Sequence, residues 1–325
     1  MHPKAGTILH LLRTEEGYIS GEHLSKVLGV SRTAAWKHIS ALRKNGFNIE
    51  AVPSRGYRLI SSPGSIDPHD VGVHLNSSRI GRRLEYLKHT TSTNADAFKL
   101  AENGAIEGTV VLADSQSGGK GRRGRVWASP AGVNLYCSVV LRPDIMPYEA
   151  PQLTFISAVA VARAIELTTS LTAEIKWPND LLISGKKVAG LLNEMSAETD
   201  GINFVILGIG VNLNMATGQF PDDLRHPATS LFLESGSVVD RSRFAGTMLN
   251  ELDRLYTDFL AHGFGPVREE WQRRCNANGR RILVNDSGTE CTGGQFVGID
   301  TDGALLLRAD DDVLHRITCG DVRVL

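Results

Sequence analysis

Apolar positions recur with a helical period three times before Gly46. Ala5, Ile8, Leu9 and Leu12 form a first stripe. A second runs from about Glu22 to Leu28 and stops at Gly29, a residue suited to ending a helix. Ser31 then caps a third helix, with Ala35, Ile39 and Leu42 on one face and Thr33, Lys37, Ser40 and Lys44 on the other. Trp36 neighbours the apolar face and reads as core. The period changes to two at Phe47, Ile49 and Ala51; Pro53-Ser54-Arg55-Gly56 turns the chain, and Tyr57 and Leu59 alternate back. Three helices and a hairpin predict a winged helix-turn-helix. Its helix-turn-helix spans residues 21–40, with Ser31, Arg32, Thr33 and Lys37 leading into the major groove and Arg55 at the wing tip. Such a module can serve protein contacts alone. Cations at a helix N-terminus oppose the dipole unless a polyanion is present, which favours DNA.

A Pro/Gly/Ser linker follows, and the pattern becomes that of a mixed α/β body. Thr91-Ser92-Thr93-Asn94 precedes an amphipathic helix with Ala97, Leu100 and Ala101; these small polar residues read equally as an N-cap or as site residues. Thr109 to Ala113 and Asn134 to Leu141 read as strands, and Phe155 to Thr168 as a buried helix. Leu181 to Ile183, Ser184-Gly185 and Lys186 to Gly190 predict a hairpin, where lysines are ordinarily solvated surface. Phe204 to Leu213 reads as a buried strand whose glycines mark a close approach. Asn214 to His226 has turn formers and no apolar period, consistent with a surface loop or a lid. From Arg280 onward, short β runs alternate with turn signals, including Asn285-Asp286-Ser287-Gly288 and Asp302-Gly303, and predict a small barrel. The expected division is 1–62, linker 63–68, body 69–274 and barrel 275–325.

Composition narrows the classes. The chain has 325 residues and is 42% hydrophobic, enough for several cores. Four dispersed cysteines form no C-x-x-C pair, so neither a zinc ribbon nor a disulfide framework is indicated. Ile8 to Leu12 is too short for a signal peptide and no stretch approaches a membrane span, so a cytoplasmic protein is expected. Residues 1–62 carry nine Lys or Arg against four Glu, although the whole chain is at −1. Only the N-terminal module is thus expected to face nucleic acid.

The candidate chemistry concentrates at residues 116–127, Gln-Ser-Gly-Gly-Lys-Gly-Arg-Arg-Gly-Arg-Val-Trp. Glycines let backbone approach an anion, and arginine forks match phosphate. A solvated basic loop or a nucleic-acid patch would read the same way. Gly119, Gly121 and Gly124 satisfy G-x-G-x-x-G, but a strand follows where a dinucleotide fold needs a helix. A Walker A loop fails as well, because Gly121 follows Lys120 where Ser or Thr belongs.

The order Ser-Thr-Asn, Gln…Gly-Lys-Gly-Arg-Arg-Gly-Arg-x-Trp, Lys-Trp-Pro-Asn-Asp, then Gly-Lys-Lys-x-Ala-Gly resembles the biotin–protein ligases. With a winged helix in front, it resembles the bacterial ligases that also repress the biotin operon. The one departure is Lys120, where such loops more often carry Arg. The resemblance implies an α+β chain: a winged helix-turn-helix, a catalytic domain of the biotin/lipoate ligase type, and an SH3-like barrel. It implies biotinyl-5′-AMP formation from biotin and ATP with Mg²⁺, then transfer to a lysine of a biotin carboxyl carrier protein. Biotin would be held by Ser92, Thr93, Asn94, Gln116, Lys120, Gly121, Arg122, Trp127 and Lys187. ATP and the adenylate would be held by Gly119, Lys120, Arg122, Arg125, Lys176, Asn179, Lys187 and Asn212. Arg122, Lys187 and Asp180 are the implied catalytic set, with Asp180 either touching Mg²⁺ or orienting Lys187. Operator DNA and a homodimer of the adenylate-bound form are the other implied partners. Two alternatives share the pattern: a biotin-sensing transcription factor without ligase activity, and a lipoate-type acyl ligase. The intact basic loop with Lys187 weighs against the first. The ureido-suited Gln116 and Ser-Thr-Asn weigh against the second.

Overall fold

The computed structural model describes residues 7–8, 11–12, 17–44, 47–61, 64, 66–199, 201–286 and 290–325. Ala5, Leu9 and Gly46, the linker residues Ser62, Pro63 and Ser65, and Ser287-Gly288 of one expected turn lie outside this set. In the N-terminal module, helix α1 (Gly21–Leu28) is capped by Ser20, whose hydroxyl accepts from His23 N, and ends at Gly29 with φ 60°. Helix α2 (Arg32–Lys44) starts at Ser31, whose Oγ accepts from Ala34 N at 3.2 Å. Strands β1 (Asn48–Val52) and β2 (Gly56–Ser61) pair antiparallel as the wing. Ile8, Leu12, Leu24, Ala35, Ile39, Leu42, Ile49 and Leu59 fill the small core, so the helical stripes packed as their period requires. Two positions differ from the sequence expectation. Trp36 is not core but 52% exposed, and Ala51 faces solvent because the wing buries only Ile49 of β1.

The body is a seven-stranded sheet of β3 (Arg83–Leu87), β4 (Thr109–Ala113), β5 (Leu135–Leu141), β6 (Glu174–Lys176), β7 (Asp180–Ile183), β8 (Lys186–Glu198) and β9 (Gly201–Val211). Its order is β3-β4-β5-β9-β8-β7-β6, with β3 and β4 parallel and the other pairs antiparallel. Every residue of β4 and β5 is buried, as expected of strands covered on both faces. Helix α3 (Thr93–Glu102) covers one face through Ala97 and Ala101 against Val111, Val140 and Ile206. Helices α4 (Gln152–Thr168), α5 (Arg241–His262) and α6 (Gly265–Arg274) cover the other. The segment Pro147–Thr168 is, against expectation, long and apolar enough to cross a membrane, with mean hydropathy 1.2, but 72% of that window is buried inside the protein. It is the central core helix.

Strands β10 (Arg281–Asp286), β11 (Glu290–Ile299), β12 (Leu305–Arg308), β13 (Leu314–Ile317) and β14 (Asp321–Val324) form a five-stranded antiparallel unit ordered β13-β12-β11-β10-β14. It is fastened to the body. Trp177 Nε1 donates to Gly303 O at 3.1 Å, and Gln152 Nε2 donates to Thr301 O at 2.8 Å. Gly303 sits at φ 87°, and a Cβ there would stand 2.3 Å from the Phe155 ring, so the turn requires glycine for both reasons.

Candidate active site

The glycine loop leaves β4 and returns into β5, so it hangs over the C-terminal end of β4 as a strand–loop–strand cradle. Both of its stems are held by Arg241, which is fully buried. Its Nε donates to Asn134 O at 2.9 Å, and its Nη1 donates to Asp114 Oδ1 at 2.9 Å and to Gly64 O at 2.5 Å. Within the loop Arg123 adopts φ 57° and Gly124 φ 72°, a turn that brings Arg122 and Arg125 back toward the body. Gly119 is fixed by crowding, since a Cβ there would meet Trp127 O at 2.5 Å. A Cβ at Gly121 would meet nothing closer than 3.6 Å, so packing does not require glycine there.

Two recesses meet at this loop. The larger, about 600 Å³, is lined by Lys120, Arg122, Arg123, Arg125, Lys176, Lys187 and Arg225 against only Asp180, Asp223 and Asp321. A surplus of four cations in one cavity is a place for a polyanion. Asn179 carries the arrangement inward: its Nδ2 donates to Leu191 O at 2.7 Å, and its Oδ1 accepts from Arg122 Nη1 at 3.3 Å. Lys187 Nζ lies 2.6 Å from Asp180 Oδ1 and 5.4 Å from the centre of the Trp127 ring. Asn212 also lines the cavity, but its Nδ2 donates to Thr229 O at 3.0 Å and its Oδ1 accepts from Asn134. Its amide is therefore occupied in holding two loops together.

Electrostatics here depend on burial. It pulls the Arg122 guanidinium below its ordinary value, and the neighbouring Arg123 pulls the same way. Burial also depresses the Lys176 ammonium, with Lys187 and Arg125 opposing its charge and Asp180 and Asp321 supporting it. His226 is lowered by burial and by Lys176. Burial alone would push Asp321 up, but the Arg125 hydrogen bond and the charges around it hold its carboxyl below the usual value. An arriving anion would relieve each of the depressed cations.

The smaller recess, about 40 Å³, shares Lys120, Trp127 and Gly190 with the larger one. Apart from Lys120 its walls are neutral, with Ser92, Thr93, Asn94 and Gln116 as polar groups and Trp127, Leu192 and Ile209 as apolar ones. Ser92, Thr93 and Asn94 are all at least 95% buried, and Ser92 makes no side-chain cap bond, so the triplet faces the recess and does not serve the helix end. Gln116 Oε1 accepts from Thr93 N at 2.9 Å, while its Nε2 donates to Ser129 Oγ at 2.9 Å. Asn94 Nδ2 donates to Glu194 Oε2 at 2.7 Å, and Asn94 Oδ1 lies 2.6 Å from Ser138 Oγ. The glycines of β9 form the floor. A Cβ at Gly208 would meet Asn94 Oδ1 at 2.3 Å, and one at Gly210 would meet the Trp127 indole at 2.7 Å.

The Ser-Thr-Asn and Lys-Trp-Pro-Asn-Asp residues and Gln116, Lys120, Gly121, Arg122, Arg125 and Trp127 of the loop line these two recesses, whereas Gly119 lines neither. The sequence reading missed Ser138, Ser129, Glu194 and Asp321. Ser138 had a signal, a lone hydroxyl in an otherwise apolar strand. Asp321 had none: it reaches Arg125 at 2.5 Å from 196 positions away. At the other pole, Arg32 pairs with Glu22 at 2.5 Å on the surface, and the Arg55 guanidinium lies 4.3 Å from the centre of the Tyr18 ring.

The biotin/lipoate A/B protein ligase family matches residues 86–212, an HTH domain matches residues 5–58, and the biotin protein ligase C terminal domain matches residues 278–325. The bifunctional ligase/repressor BirA of Bacillus subtilis is 42% identical over 308 residues, covering 94% of each chain. This chain belongs to the bifunctional biotin–protein ligases. Escherichia coli BirA is 32% identical to this ligase over 90% of its chain and 88% of the relative's. The structure of an Aquifex aeolicus biotin protein ligase in complex with biotin and ATP is similar at TM-score 0.64 and 28% identity, covering 75% of this ligase and 99% of that chain.

Proposed function

We propose that the small neutral recess takes the biotin ring system and the cationic cavity takes ATP, with the biotin carboxylate meeting the α-phosphate between Lys120, Lys187 and Trp127. The observation that carries this division is the shared wall: Lys120, Trp127 and Gly190 border both recesses. A ureido group needs neutral donors and acceptors, which Ser92, Asn94 and Gln116 supply. A carboxylate approaches a triphosphate only after charge neutralisation, which Arg122, Arg125, Lys176 and Lys187 provide. Its oxygen forms a bond to the α-phosphorus while the α–β bridge bond breaks and pyrophosphate leaves. The amine of the carrier's lysine then adds to the acyl carbon, loses a proton, and AMP departs. Asp180 is a positioning residue for Lys187. The described residues offer no group of three acids, histidines or cysteines for a metal, so Mg²⁺ is assigned to the nucleotide's phosphates and water, where it arrives with ATP.

Asn214 to His226 forms the outer wall of the cavity through Met215, Phe220, Pro221, Leu224 and His226, and we assign it the role of a cover that keeps water from the mixed anhydride. The winged helix is assigned to operator binding with biotinyl-5′-AMP as corepressor, the cytoplasm as compartment, and a homodimer as the binding form. The experiment is direct. The protein is incubated with biotin, Mg-ATP and a biotin carboxyl carrier domain, and mass spectrometry looks for biotinyl-5′-AMP and one biotinylated lysine. Adenylate without carrier modification would contradict the transfer half of the reading.

A further inference from the structure

Of the four tryptophans, Trp177 and Trp271 are buried and Trp127 walls the recesses; Trp36 alone is largely exposed, at 52%. It stands on α2, whose inward face is Ala35, Ile39 and Leu42. One turn before and four positions after it on the same row lie Arg32 and Ser40, and Thr33 and Lys37 form the adjacent row. Arg32, Thr33 and Lys37 are exposed like Trp36. Those two rows make the outward face of the recognition helix. The thirteen residues of α2 contain four cations and no acid, so the surface around the indole is complementary to a polyanion.

An aromatic side chain of this size gives up a large apolar area to water unless something covers it. The indole has one N–H donor and no acceptor. Among the base edges in a major groove, thymine offers what matches: an O4 acceptor beside an apolar C5 methyl group. Cytosine presents an amino donor that the indole cannot accept; adenine sets its N7 acceptor beside an amino donor and guanine presents N7 and O6 acceptors, neither with an apolar group. We propose that Trp36 is a base-reading residue that lays its indole against the C5 methyl of a thymine in the operator's major groove. This rests on the repressor reading above and adds the base to it.

The test begins with a random-sequence duplex library, from which the adenylate-loaded protein selects its operator. Each thymine of that operator is then replaced singly by deoxyuridine, which removes only the methyl. One position in each half-site should weaken wild-type binding about fourfold, the worth of one apolar carbon. That penalty should vanish in Trp36→Ala and largely persist in Trp36→Phe, which keeps an aromatic face. Trp36→Ala should also lose affinity for the selected operator on the order of tenfold, while its affinity for random DNA and its salt slope stay as in wild type. An alanine variant that binds the operator like wild type, or an equal deoxyuridine penalty in both proteins, overturns the role of Trp36 and leaves the repressor reading standing. A library that yields no preferred sequence overturns both.

Discussion

Individual cations in the larger cavity divide into those that hold position and those that meet charge. Lys187 sits on Asp180 and beside Trp127, where the two recesses join, and in the proposed division its charge would face the forming acyl–phosphate bond. Lys187→Ala should lower kcat for adenylation by about 10²–10³ with little change in biotin KM, because the interaction strengthens in the transition state. Steady-state kinetics with pyrophosphate release as readout checks this, and an unchanged kcat with raised biotin KM would reassign Lys187 to ground-state binding. Lys176 has a different signature. Burial depresses its ammonium, so the unfolded chain binds the proton more tightly, and stability should rise as pH climbs from the folded value toward 10.5. Lys176→Met removes that burden. The variant should be more stable than wild type at neutral pH, with the difference shrinking toward 10.5, while its ATP KM rises roughly tenfold for the lost charged contact. Denaturant titrations across the pH range decide it; a stability difference that grows with pH would contradict the assignment. These roles were only half legible. Residue type and order named Lys187 and Arg122, but the 2.6 Å ion pair that supports Asp180 as the partner of Lys187 is something spacing cannot supply.

Elements place the residues by leaving out atoms as much as by adding them. Strand β9 carries Gly208 and Gly210 on the floor of the small recess, and the backbone at neither residue needs a positive φ. Their glycine identity is therefore about space. Gly210→Ala puts a methyl 2.7 Å from the Trp127 indole, so the fold should lose only about 1–3 kcal/mol while biotin affinity falls more than tenfold as Trp127 is displaced. Calorimetric titration with biotin measures the second effect and thermal unfolding the first; retained affinity would mean Trp127 is not a wall of the biotin recess. Close approach at this strand could be read from its sequence, because glycine weakens a strand and needs a reason to be there. What approaches could not be read. The recognition helix is the converse case: its period fixed the buried face, yet Trp36, at the margin of that stripe, was assigned to the wrong side. Helical angle alone does not separate a flanking core residue from one that stands in solvent.

At the scale of the whole molecule, the sites share a frame. Arg241 joins the linker carbonyl of Gly64 to Asp114 and Asn134 at the stems of the glycine loop, so the chain leaving the DNA-binding module is tied to that loop. The Arg125–Asp321 pair ties the same loop to the C-terminal unit. Neither tie follows from local pattern, because each partner comes from a distant segment. A winged helix offers one recognition helix and reads one half-site, so specificity needs two copies spaced by about one helical turn of DNA or a multiple of it. Adenylate that favours the dimer would make operator occupancy report biotin supply. Linkage then requires that dimerisation tighten adenylate binding by the same factor that adenylate tightens dimerisation. Sedimentation equilibrium should give a dimer constant at least tenfold tighter with biotinyl-5′-AMP, a coupling of about 1.4 kcal/mol, and operator gel shifts should follow it. Both are run at one salt concentration, since phosphate contacts make the affinity salt-dependent. Equal operator affinity with and without the adenylate would remove the corepressor role and leave DNA binding that does not sense biotin.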